Sequence, residues 1–77
     1  MNNDEKLLRR ISREDRNRIE QATLLIKEGD FSTLDIKKLS GFENIYRVRV
    51  GKFRIKLCMR FTYNEILEIT RRDDHTY

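Results

Sequence analysis

The stretch YRVRVGKFRIKL, residues 46–57, constrains this chain more than any other. Apolar and basic residues alternate on both sides of Gly51-Lys52, the pattern of two half-buried antiparallel strands joined by a tight turn. A two-residue turn with Gly first is of type II′. Tyr46, Val48 and Val50 take the core face, with Phe53, Ile55, Leu57, Met59 and Phe61 on the return strand. Arg47, Arg49, Arg54, Lys56, Cys58 and Arg60 take the open face. Such a turn pairs Val50 with Phe53, Arg49 with Arg54 and Arg47 with Lys56. Like charges placed directly across a strand pair are destabilising, so an external anion is expected to balance them.

The charge is unevenly distributed. Residues 1–44 hold nine Lys/Arg and nine Asp/Glu, whereas residues 45–77 hold eight against four. Between residues 45 and 61 there are six cations, Arg47, Arg49, Lys52, Arg54, Lys56 and Arg60, and no acid. A field of that kind attracts a polyanion or an acidic protein segment. The plain alternative is a solvated charged face, which strict alternation and missing acids make the weaker reading.

The 77 residues make one domain, 1–77, with a marginal core that needs helix packing on the sheet or a partner. No apolar run approaches the ~18 residues of a membrane span, and the start MNNDEK lacks a signal peptide's apolar centre. The single cysteine, Cys58, forms no internal disulfide or metal site by itself, which points to a reducing cytoplasm. Residues 4–10 read as a short helix, with Leu7, Leu8 and Ile11 on one side. Ser12 is an N-cap, with Asp15 completing a near capping box. Ile19, Ala22, Leu25 and Ile26 form the stripe of a second helix that Gly29 stops. Helices over about residues 4–28, a connector over 29–44, a sheet over about 45–72 and a functional tail over 73–77 follow. The fold expected is α+β: a helical hairpin on a twisted antiparallel sheet of three, or four, strands.

For the third strand, EILEITRR, a loop of Thr62-Tyr63-Asn64 pairs Phe61 with Glu65, Met59 with Leu67 and Leu57 with Ile69. That register sets Arg72 opposite Arg54 and turns Arg71 the other way. Arg49, Arg54 and Arg72 then form a cluster beside a tail, DDHTY, that holds the single histidine, His75. Guanidinium groups grip phosphate through bidentate forks. Histidine transfers protons near neutrality, and Tyr77 offers a ring for base stacking. A nuclease that uses the RNA 2′-OH as nucleophile needs phosphate clamps, a proton acceptor and a donor, and no metal. The candidate catalytic set is Arg72, His75, Tyr77 and Arg54; Arg47, Arg49, Lys52, Lys56, Arg60 and Arg71 are candidate phosphate ligands. The scattered His, Cys and acids show no metal-ligand spacing.

LSGFENIYRVRVGKFRIKL followed by EITRRDDHTY resembles the second half of the RelE/ParE toxin superfamily, over about residues 34–77. The shared features are Leu39/Gly41, the hairpin from Tyr46 to Arg54, Arg72 and Tyr77. The resemblance implies a toxin held silent by an antitoxin that docks on the basic face or a sheet edge. RelE-type members cleave mRNA in the ribosomal A site without metal or cofactor, leaving a 2′,3′-cyclic phosphate. By position, Arg47 and Arg49 stand where members often have paired lysines, and Arg54 at the phosphate-binding arginine. Arg72 matches the arginine after the last strand and Tyr77 the terminal tyrosine; His75 resembles the His-Tyr end of the YoeB type, with Thr76 intervening. The family usually opens with a strand, and MNNDEKLL is not one. Arginine keeps its proton across the working pH range of an enzyme, so Arg49 cannot replace a lysine base. The function expected is a ribosome-dependent mRNA endonuclease. The alternatives are a ParE-type DNA gyrase inhibitor and a degenerate member that only binds RNA or antitoxin.

Overall fold

The computed structural model describes residues 9–39, 41 and 43–71. One helix, α1 (Arg13–Glu28), precedes four strands: β1 (Asp35–Lys38), β2 (Ile45–Val50), β3 (Phe53–Met59) and β4 (Asn64–Arg71). The strands form an antiparallel meander in the order β1-β2-β3-β4, so β1 and β4 are the edges. Of the expected helical hairpin, the described residues contain the second arm, α1. Of its first arm, Arg9 and Arg10 are helical, and residues 1–8 lie outside the described residues.

Local chemistry sets the ends of α1. The Ser12 hydroxyl accepts a hydrogen bond from the Asp15 amide at 3.1 Å, satisfying a donor that the first turn leaves free. Gly29 takes the left-handed conformation, φ 78°. Its amide donates to the Ile26 carbonyl (3.1 Å) and the Asp30 amide to Leu25 (2.9 Å), the paired bonds of a Schellman motif. Past this stop, Asp30 accepts from the amide and the hydroxyl of Ser32, and these bonds hold its carboxyl below the usual carboxylate range.

The helix lays Ile19, Ala22 and Ile26 on Val48, Phe53, Ile55, Leu57 and Ile69, and this cluster is the core. A polar tie reinforces it: the Asn64 side-chain amide donates to the Ile26 carbonyl at 2.7 Å, fastening the end of α1 to the start of β4.

The β2–β3 register matches the sequence expectation, with Val50 opposite Phe53, Arg49 opposite Arg54 and Arg47 opposite Lys56. Gly51 has φ 57° and Lys52 is not left-handed, the type II′ arrangement. Two expectations fail. First, the connector contains a strand: β1 pairs Ile36 with Val48 and Lys37 with Arg47. The fourth strand therefore comes from the middle of the chain.

Second, the β3–β4 register differs from the one expected. Met59 faces Asn64, Leu57 faces Ile66 and Ile55 faces Ile69, and the ladder shifts between Lys56 and Leu57. Leu67 is the extra residue of a β-bulge and stands 39% exposed. A regular strand puts residues three apart on opposite faces; the bulge lets Ile66 and Ile69 both meet the core. The turn before β4 is also longer. The Arg60 amide donates to the Tyr63 carbonyl at 2.8 Å, and Phe61, expected in the core, is 94% exposed.

This register is testable by urea unfolding. Ile69→Ala should lower stability by about 2–5 kcal/mol, as a large-to-small change in the core does. Leu67→Ala should cost no more than about 0.5 kcal/mol, as a surface change does. The regular register predicts comparable losses for the two.

Candidate nucleic-acid interface

Side chains of paired residues share a face, so the register defines a grid on the side of the sheet away from α1. One row across the strands is Asp35, Arg49, Arg54 and Thr70; the next is Lys37, Arg47, Lys56 and Glu68. The row beyond is apolar at its centre, Ile45 and Cys58, and ends at Glu65. Leu39 extends it through an amide bond to the Ile45 carbonyl at 2.9 Å.

Between these rows lies a depression of about 410 Å³, lined by Leu39, Arg47, Arg54, Lys56, Glu68, Thr70 and Arg71. Arg47 is half-buried, and its Nε is shut off from solvent with no hydrogen-bond partner. Leaving a buried donor unmade costs about 1–3 kcal/mol. Arg54 and Lys56 are half-buried beside it, while Arg49 is exposed towards β1.

The candidate residues that the structure describes divide among four settings. Arg47, Arg49, Arg54 and Lys56 come together on the open face as expected. Lys52 lies in the β2–β3 turn, exposed. Arg60 is committed elsewhere: its Nε donates to Glu65 Oε1 at 2.9 Å, and a second nitrogen lies 2.7 Å from the same oxygen. That carboxylate raises the arginine's already high pKa. Arg71 pairs with Phe53, on the other face, and contributes to the end of the depression.

Arg72, His75 and Tyr77 lie outside the described residues. The alignment of Arg72 with Arg54 is nevertheless corrected, because Arg54 faces Thr70. Cys58, expected on the open face, is there but buried, at 7% exposure.

The sequence reading missed the acids. An acid-free hairpin suggested an acid-free face, yet the flanking strands bring Asp35 opposite Arg49 and Glu68 opposite Lys56. Glu68 Oε1 sits 3.7 Å from Lys56 Nζ. Lys37 was missed as well, because the four-residue run DIKK is too short to declare a strand. Among the described residues no cluster of His, Cys, Asp or Glu could hold a metal ion, and no helix is long and apolar enough to cross a membrane.

The basic face is expected to bind a single-stranded RNA oligonucleotide with salt-dependent affinity, measured by fluorescence anisotropy. Each phosphate contact removed, as in Arg47→Met or Arg54→Met, should reduce the log–log salt slope by about 0.7. Arg47→Met should melt no lower than the wild type, because it deletes a buried donor without a partner.

No family model matches the chain, and no curated protein matches it. Solved structures do. One is the RelB-RelE antitoxin-toxin complex from Methanococcus jannaschii, 26% identical, with a TM-score of 0.76 over 94% of this chain and 87% of that one. Another is the archaeal RelE-RelB complex from Pyrococcus horikoshii OT3, with a TM-score of 0.71 over 96% and 91%. At 21% identity the second speaks for the fold alone. Over the described residues, a helix packed on a four-stranded antiparallel meander makes this chain RelE-like, with the fold seen in those two RelE–RelB complexes.

Proposed function

We propose that this chain is the toxin of a toxin–antitoxin pair, and that it acts as a ribosome-dependent mRNA endonuclease. The observation that carries the reading is the depression between Arg47, Arg54 and Lys56 on the open face of a RelE-like sheet. A phosphodiester placed there meets donors from adjacent strands, which neutralise the charge that grows on the phosphorus-bound oxygens as the 2′-OH attacks. Donors preorganised by a sheet need little reorganisation at the moment of reaction.

Arg54 and Arg47 are the phosphate clamps, with Arg49 and Lys37 extending the positive surface towards β1. The segment after β4 supplies Arg72, His75 and Tyr77 in sequence, for a further clamp, a proton-transfer group and a stacking ring. The silencing partner is a separate antitoxin chain. An acidic segment in it would compete with RNA for the same cations.

Purified protein added to ribosomes programmed with a defined mRNA is expected to cut the message and leave a 2′,3′-cyclic phosphate. Arg54→Ala should lower the single-turnover rate by about 10²-fold or more, the usual effect of removing a donor to transition-state charge. Uncut message with blocked DNA supercoiling would replace this reading with the gyrase one. Ribosome or RNA binding without cleavage would mark a member that only binds.

A further inference from the structure

Resting on the endonuclease reading, we propose that Glu68 is the group that takes the proton from the attacking 2′-OH. The clamps on the open face are arginines, which bind phosphate but keep their own protons across the working pH range of an enzyme. A transferable proton needs a different acceptor, and β4 provides one. Among the described residues that line the depression Glu68 is the one acid, where it sits with Arg47, Arg54, Lys56 and Thr70.

Its geometry leaves it available. The 3.7 Å separation from Lys56 Nζ is an ion-pair distance, beyond a hydrogen bond, so the lysine orients the carboxylate without occupying its lone pairs. The Glu68 side chain is 53% exposed, and substrate can reach it. It lies on the same cross-strand row as Lys56 and one step diagonally from Arg54. Diagonal neighbours are about 7–8 Å apart at the backbone, a span that an extended glutamate and an arginine bridge around one phosphate. The bulge supports this placement: the ladder shift at Leu57 brings Glu68 opposite Lys56.

The step balances. A Glu68 carboxylate oxygen accepts the 2′-OH proton as the O2′–P bond forms. The P–O5′ bond breaks, the leaving 5′ oxygen takes a proton from water, and Glu68 returns its proton to solvent. The products are a 2′,3′-cyclic phosphate and a 5′-hydroxyl. Among the described residues, the charged groups facing Glu68 are Lys56 and Arg54 from β3 and Arg47 from β2, while Arg71 of its own strand lines the end of the depression.

Single-turnover cleavage on programmed ribosomes is the test, with wild type, Glu68→Gln and Lys56→Met compared across pH. Cleavage by the wild type establishes the parent reading independently. Glu68→Gln is then expected to lose about 10²–10⁴-fold in rate, the usual contribution of a general base. Its apparent KM should stay the same or fall, since a negative charge has left a basic groove. The one-proton acid limb of the wild-type pH profile should vanish in this variant. Lys56→Met should raise KM more than it lowers the rate.

A Glu68→Gln rate within threefold of wild type would overturn the assignment and leave the endonuclease reading standing. So would a loss of rate matched by Lys56→Met, because the pair would then be acting only as a structural ion pair. Uncut message with folded wild-type protein would overturn both.

Discussion

Everything in this fold depends on the period-two alternation of β2 and β3. A strand pair cannot present both kinds of residue to one side, so the turn at Gly51 commits two surfaces together. Val48, Phe53, Ile55 and Leu57 go to the helix, and Arg47, Arg49, Arg54 and Lys56 go outward. The core and the binding face are two readings of the same residues in the same register. A slip of one residue would exchange them completely, burying the arginines and exposing the isoleucine. The helix enforces the register by filling the apolar side, and Asn64 locks the helix end to the sheet.

What could be read from the sequence was whatever depended on short-range, strongly periodic chemistry. The cap at Ser12, the stop at Gly29 and the β2–β3 register have local causes and are found as expected, and the helix stripe holds at Ile19, Ala22 and Ile26, while Leu25 is only half-buried outside the core cluster. The β3–β4 register was not legible because two isoleucines three residues apart fit no regular strand. A regular pairing chose Leu67, and a bulge chose Ile66. β1 was hidden by brevity: Asp35–Lys38 offers one inward residue, Ile36, and its identity as a strand comes from pairing with β2. Of the candidate site, the hairpin cations were legible and the carboxylates beside them were not. Only the sheet order brings Glu68 into the same depression as Arg47.

The electrostatic character of the open face differs accordingly from a uniform positive patch. Its centre remains arginine-rich, but each edge strand contributes an acid, Asp35 on one side and Glu68 on the other. Such a face favours a polyanion over its centre, because the carboxylates at its edges repel one. The arginines that repel one another in the free protein are the ones positioned to share a ligand.

The bulge at Leu67 has a bearing on assembly as well. Among the described residues the meander has two edge strands, and an edge strand's outward amides and carbonyls are a template for stacking one copy against another. On β4 the extra residue breaks the even spacing that a neighbouring strand would have to match. On β1 the guard is different: the strand is only four residues long and ends in Lys37 and Lys38, both exposed. A sheet kept so basic at its centre is thereby discouraged from pairing with a second copy of itself along either margin.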